Sequence, residues 1–569
     1  MGAAGTMGGS VVLTTLLPQT TQAAPHLHPH TPPQEKTAAK AGLAKFVDAL
    51  PIPRGISPVG KVNGVPLYDV TMRQFAQKLH RDLPATSLWG YNAQYPGPLF
   101  DVRRGNPIAV KWANDLPGVH FLPIDETIHG AELPTPPVRT VVHLHGMKDL
   151  PDSDGYPEAW FTNGYRKTGP FFSQPIYQYP NDQQAMTLWY HDHALGITRL
   201  NVYAGLSGMY ILRDDHEDSL NLPKGDYEIP LIIQDRFFNP DGSLLYPVVT
   251  PGDPDPRVPP IWIPELFADT VLVNGKVWPY LQVEPRKYRF RILNSSNARF
   301  YHLTLQPSGG GNKTGGGSSV PAFIQIGSDG GLLPAPVSLT DLLIAPAERF
   351  DIVIDFSRFA GRNFVLANDG PAPFPDGGEV VPPDVMMFRV GDRVNGRDTS
   401  DVPSVLNSVP PIDPASAVTT RDLVLSELDS DAGSPIMAMI NGAHWDDPRT
   451  ESPKAGTTEI WRIINTTGDG HPIHVHLVQF QILDRTPFDT NQFPPTLVLT
   501  DKPSPPAANE HGWKDTVVSY PGTVTRIIAT FNLPRNANAK PGQKFRYVYH
   551  CHIMEHEENE MMRPYDVVG

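Results

Sequence analysis

Four His-x-His pairs carry the most chemical information in this sequence: His143 with His145, His191 with His193, His474 with His476, and His550 with His552. In an extended strand residues i and i+2 point to the same face, so each pair presents two imidazoles side by side. One such pair is an ordinary structural feature. Four of them, two early in the chain and two late, amount to eight histidines able to hold several metal ions across an interface.

The single cysteine, Cys551, lies between His550 and His552. On a strand it points away from both, and a second metal there needs further ligands. His471 has the opposite parity to His474 and His476, although Pro472 interrupts strict alternation. His556 and Met561 follow Cys551 by a few residues, a spacing suited to a loop folding back over the strand end. Two histidines, one thiolate and a distant methionine form the blue-copper donor set, whereas zinc has no use for the methionine. An electron arriving at a copper on Cys551 has a short covalent route to His550 and His552. One strand therefore joins an electron-entry site to a multi-metal site.

The elements that position these residues read as short strands. Tyr288, Phe290 and Ile292 share one face, with Arg289 and Arg291 on the other, and Ile352 and Ile354 alternate in the same way. Helical periodicity is scarce, and the stretch from Thr71 to Leu83 is the best candidate for a short helix. An internal repeat is visible. Val273-Asn274-Gly275 with Trp278 is echoed by Ile440-Asn441-Gly442 with Trp445, and Phe290 to Asn294 by Trp461 to Asn465. A weaker third copy starts at Tyr91-Asn92 and reaches Val110 to Asn114. The fold class expected is all-β, with three related β-sandwich domains: residues 41–215, 221–391 and 419–569, after a leader and flexible linker at 1–40 and with a second linker at 392–418. The first and third carry the histidine pairs. The middle one offers His302 and reads as a metal-free spacer. The Gly-rich segment from Ser308 to Ser319 reads as a surface loop.

The 569 residues exceed one hydrophobic core, and 63 Pro with 48 Gly fit frequent turns between strands. With 46 Lys plus Arg against 60 Asp plus Glu, the net charge of −14 argues against a nucleic-acid or anionic-membrane partner. One cysteine excludes an intramolecular disulfide. No apolar run has the length of a transmembrane helix. The stretch Gly8 to Leu17 followed by Ala23 and Ala24 looks like an export leader, although no Lys or Arg precedes Lys36. A secreted or otherwise extracytoplasmic location is expected, the alternatives being a spore coat or the cytoplasm.

These motifs resemble the multicopper oxidases, most closely the bacterial spore-coat laccase and bilirubin-oxidase group. The matching stretches are His143-Leu144-His145-Gly146, Trp189 to His193, His471 to His476, and His550 to His556, within a resemblance that covers nearly all of the chain after Leu43. The resemblance implies cupredoxin-like Greek-key domains and four coppers per chain. Type 1 copper falls to His471, Cys551, His556 and Met561. Type 2 copper falls to His143 and His474, and the type 3 pair to His145, His191, His193, His476, His550 and His552. It further implies a monomer that takes single electrons from phenols, aminophenols, bilirubin or similar reductants and reduces dioxygen to water. Asp154 and Glu557 stand where similar laccases place proton-carrying carboxylates. Phe267 stands where the spore-coat group has a cysteine, which leaves the substrate preference open. A cuprous or ferrous ion oxidase is the first alternative. A binuclear zinc hydrolase and a non-enzymatic copper-storing array are weaker ones.

Overall fold

The computed structural model describes residue 37 and residues 42–248, 252–308, 320–379 and 381–569. The leader-like segment and most of the Gly-rich segment after Ser308 lie outside the described residues. The described chain is built of strands with a few short helices, and its sheets fall in chain order into three pairs. In the first pair, a four-stranded sheet runs in the order Phe100–Arg103, Ser207–Arg213, Met186–Asp192, Val142–His145. In the last, a four-stranded sheet runs Thr516–Ser519, His471–Val475, Lys544–Cys551, Met562–Val568. The middle pair, of eight and five strands, carries none of the His-x-His motifs.

The repeat has a structural cause. Asn274 and Gly275 both have positive φ (50° and 73°), as do Asn441 and Gly442 (58° and 59°), the backbone of a type I′ hairpin turn. The faint third copy makes the same turn at Asn92 (54°) and Ala93 (52°), with alanine where the others have glycine. After each turn comes a strand that pairs in parallel with the one before it: Val110 beside Tyr68, Phe290 beside Ile229, Trp461 beside Arg421.

One expectation needs revision. The stretch Thr71 to Leu83 holds no helix, because Val65–Gln77 is one long strand followed by a turn. Parallel pairing with Ile108–Asp115 and antiparallel pairing with Thr86–Tyr91 outweigh its helical tendency. The face that carries Arg289 and Arg291 is covered as well. Both guanidinium groups are buried among Glu217, Glu228 and Asp351, with Arg291 Nε 2.6 Å from Glu228 Oε1 and Arg289 Nη1 2.9 Å from Glu217 Oε1. Charges removed from water are tolerable only when paired this way.

A dense core spans the first and middle sheet pairs, and another fills the third. Between the first and third pairs, Val141, Tyr156, Ile197, Trp445, Val548 and Met562 pack together. The histidine-bearing strands meet along this seam.

Candidate metal centre

Register brings the eight histidines together. Val142–His145 pairs antiparallel with Met186–Asp192, so His143 faces His191. His471–Val475 pairs with Lys544–Cys551, so His474 faces His550. Across the seam the rings of His143 and His476 stack with centroids 3.7 Å apart, and those of His145 and His474 at 3.6 Å. Ligand atoms converge in three groups: His143, His474 and His476; His145, His191 and His552; His193, His476 and His550.

These imidazoles are buried, and apart from His552, both of whose ring nitrogens lack a partner, each has one nitrogen already committed. His143 Nδ1 donates to Asp154 O (2.6 Å), His474 Nδ1 to Asp515 O (2.7 Å), His476 Nδ1 to Asp154 Oδ2 (2.8 Å) and His191 Nδ1 to Asp192 O (2.8 Å). The opposite nitrogens, Nε2 of His143, His191, His474 and His476, have no hydrogen-bond partner. Orphaned buried nitrogens are costly unless something binds them. His145 is the reverse case: its Nε2 lies 3.1 Å from Asp515 Oδ1 and its Nδ1 is the open atom. Burial holds His143, His145, His193, His474, His476 and His552 well below the ordinary imidazole range, and His191 at about 3. Neutral rings with inward lone pairs suit metal ions. His193 Nε2 and His550 Nε2 stand 3.3 Å apart, the edge expected between two ligands of one ion with bonds of about 2 Å.

On the other side of Lys544–Cys551 a second group forms. Cys551 pairs with Ile473, two residues from His471, so Cys551 and His471 share a face despite Pro472. Cys551 Sγ lies 3.5 Å from His471 Nδ1, which lies 3.3 Å from His556 Nδ1. His556 sits on the short helix Met554–Glu558. Met561 is fully buried beside this group, its N–H donating to His556 O (2.9 Å) and its carbonyl accepting from Cys551 N (2.9 Å). Burial pushes the Cys551 thiol well above its ordinary range, so a thiolate there requires a bound cation. The donor set of two imidazoles, one thiol and a thioether fits copper.

Both predicted carboxylates border the histidines. Asp154 touches His143 and His476, and burial raises its carboxyl to about 6. Glu557 Oε2 lies 3.1 Å from His550 Nδ1 and its Oε1 3.4 Å from His193 Nδ1, and both oxygens lack hydrogen bonds. His302 pairs with Asp369 (2.5 Å) and Asp341 (3.2 Å).

Sequence reasoning missed several supporting groups. Asp515 orients His145 and His474 and is itself held by Arg349 (2.8 Å). Trp189 stacks on His191 at 4.1 Å. A small, partly open cleft reaches His556 and is lined by Trp262, Pro264, Glu265, Glu427 and Asp469. Burial, reinforced by Asp469, pushes Glu265 and Glu427 well above the usual carboxylate range, and burial brings Asp469 to about 6. None of the cleft residues lies in a ligand motif, and only Asp469, two residues before His471, was near enough to one to be noticed; Trp189 opens the motif that ends at His193, but its stacking role left no mark there.

Comparison with known proteins agrees with this geometry. Family models described as Multicopper oxidase match residues 76–217 and 418–568. The chain is 49% identical to a laccase of Bacillus subtilis, covering 92% of this chain and 99% of the relative. It is 40% identical to multicopper oxidase LPR1 of Arabidopsis thaliana, over 92% of this chain and 93% of that one. The crystal structure of the McoA multicopper oxidase of Aquifex aeolicus matches with a TM-score of 0.70 and 28% identity, covering 93% of this chain and all of that one. The all-β architecture with cupredoxin-like domains holds as expected. This chain belongs to the multicopper oxidase family, copper-dependent oxidoreductases that use dioxygen as electron acceptor.

Proposed function

We propose that this chain is a laccase-like, bilirubin-oxidase-like enzyme that takes single electrons from phenols, aminophenols, bilirubin or similar organic reductants and reduces dioxygen to two waters. The observation that carries this reading is the position of Cys551 between His550 and His552, with the thiol on one face of the strand and the imidazoles on the other. His471, Cys551, His556 and Met561 hold type 1 copper; His143 and His474 hold type 2; His145, His191 and His552 hold one type 3 ion, and His193, His476 and His550 the other. Copper bound at these positions supplies one-electron acceptance and the reduction of dioxygen.

The chain's own residues do the rest. Cys551 shares its backbone with both neighbouring histidines, so one covalent segment links the two ligand groups. His556 borders the cleft and gives a reductant its point of approach. Asp154 and Glu557 stand within reach of His143, His476, His193 and His550, where they hold and deliver the protons that water formation consumes. Asp515 and the carbonyls of Asp154 and Asp192 fix ring orientation, a role that such outer partners commonly play at metal centres.

A second reading, oxidation of ferrous or cuprous ions, draws support from the carboxylates of Glu265, Glu427 and Asp469 in the same cleft. Three acids suit a cation or a protonated aminophenol better than an anionic phenolate or bilirubin. The test is an absorption spectrum of the copper-loaded protein, then anaerobic addition of an aminophenol or of ferrous ion, then air. An intense blue band that bleaches with the aminophenol and returns on aeration supports the first reading. Bleaching by ferrous ion alone favours the second, and a protein that stays colourless with copper overturns both.

A further inference from the structure

We infer that His129, His444 and Glu560 form a second kind of metal site, a surface site for a divalent transition ion such as Zn²⁺, at the seam between the first and third sheet pairs. His129 comes from the loop after Ile108–Asp115, His444 from the turn after Pro435–Ile440, and Glu560 from the segment between the helix Met554–Glu558 and the last strand. None of the three belongs to the copper-ligand groups described above.

Glu560 Oε1 lies 3.4 Å from His129 Nδ1 and 3.6 Å from His444 Nδ1. Those separations exceed a good hydrogen bond yet match the distance of about 3.3 Å between two ligands of a tetrahedral zinc ion with bonds near 2 Å. The protein's own cysteine group shows comparable edges, 3.3 Å between His471 and His556 and 3.5 Å between Cys551 and His471. The two rings each approach Glu560 but not one another, so the exposed His444 side chain must turn toward His129 for all three to reach one ion, with water completing the coordination. Two imidazoles with one carboxylate form a donor set well known for zinc.

The surroundings favour a cation. Glu560 is buried, and its other oxygen, Oε2, accepts the Trp445 N–H (2.6 Å), which aims Oε1 outward at the two rings. Asp446 Oδ2 stands 3.7 Å from His129 Nε2, the outer carboxylate position that commonly orients a ligating histidine. Glu132 and Glu158 also act on His129 or its neighbourhood. The His444 backbone is fixed by Asp447, whose carboxylate accepts the His444 N–H (2.8 Å), and by Arg563 on its carbonyl. Glu560 has φ +80°, a strained conformation for a residue with a side chain, and it immediately precedes Met561. An ion here ties the two sheet pairs together and pins the turn that carries Met561.

The test titrates the copper-loaded enzyme with Zn²⁺ by calorimetry, alongside H129Q and H444Q. The type 1 absorption of each variant serves as the check that it has folded and loaded copper. One zinc per chain, with affinity weakened at least about tenfold in each variant, is the expected result. No zinc binding by the parent protein, or parent-like affinity in either variant, overturns the assignment.

Discussion

Replacing Asp515 by asparagine should loosen copper in the eight-histidine cluster while leaving the cysteine group intact. Asp515 is fully buried and does three things at once. Its Oδ1 lies 3.1 Å from His145 Nε2, its carbonyl accepts from His474 Nδ1, and its carboxylate meets Arg349 at 2.8 Å. A pair of unit charges at that distance attracts by roughly 6 kcal/mol at an effective dielectric of about 20, and removing one partner of a buried pair commonly costs about 3–5 kcal/mol. Asp329 remains 3.8 Å from Arg349, so the lower end, about 3 kcal/mol, applies. For the metal, losing an anionic outer partner of a ligating histidine weakens affinity by about 10–100-fold. In the strand register His471, of the cysteine group, pairs with Ser519 rather than with Asp515. The assay is metal content and absorption during titration with a competing chelator. The variant should surrender its type 2 and type 3 copper at a lower chelator concentration than the parent, with the blue band persisting. Equal retention of all copper, or loss of the blue band first, would refute the idea that Asp515 orders this cluster.

Three further perturbations probe other links. Glu557→Gln should slow reoxidation of the reduced enzyme by dioxygen about a hundredfold in stopped flow while leaving its reduction by substrate nearly unchanged, and equal slowing of both would count against a proton role. Gly155→Ala places a Cβ 2.2 Å from Val142 O and 2.8 Å from His143 Cα at a φ of +81°, so the strand bearing His143 and His145 must shift. A loss of about 2–4 kcal/mol and reduced copper content are expected, read by thermal unfolding and metal analysis. Glu228, held at about 2 by Arg291, Arg289 and Arg213 against the opposing effect of burial, binds fewer protons folded than unfolded. Its stabilisation, about 3 kcal/mol, is therefore complete above the ordinary carboxylate pKa of 4.5 and drains away as pH falls from there toward 2. Glu228→Gln should lower thermal stability at pH 7 and flatten its decline between pH 4.5 and 3; an unchanged decline would show that other acids govern it.

What the sequence made legible and what it concealed divide along a physical line. The side chains that converge in the candidate ligand groups were readable because metal binding demands particular atoms at fixed strand parity. Cys551 between two histidines can only face away from them, and the pairing of Cys551 with Ile473 bears this out. Turn chemistry was equally readable at Asn274-Gly275 and Asn441-Gly442, and it explains why the third copy of the repeat, at Asn92-Ala93, looked weak: Ala93 takes up a positive φ that glycine adopts more cheaply. Groups that act through tertiary contact left no such mark. Asp515 reaches His145 across 370 positions of chain, and the same local pattern in any other strand would carry no meaning. At Arg289 and Arg291 the alternation reports only that two faces differ, not what covers the second.

The acids of the cleft extend this argument to substrate choice. In the proposed reading copper ligation fixes the electron path, and the candidate ligands are residues that a sequence displays. Selection of the reductant depends on what lies against His556, and there Glu265, Glu427 and Asp469 arrive from three separate segments. Each is raised chiefly by burial, with Asp469 also raising both glutamates, so a cation entering the cleft would draw protons off them and gain attraction as it binds. A neutral phenol would gain nothing from that exchange. Affinity for a cationic reductant should therefore rise with pH through the range where Asp469, at about 6, gives up its proton, while affinity for an uncharged phenol stays level. KM measured against pH for an uncharged phenol and for a permanently cationic phenol separates the two. Parallel profiles would mean that these acids do not meet the substrate at all.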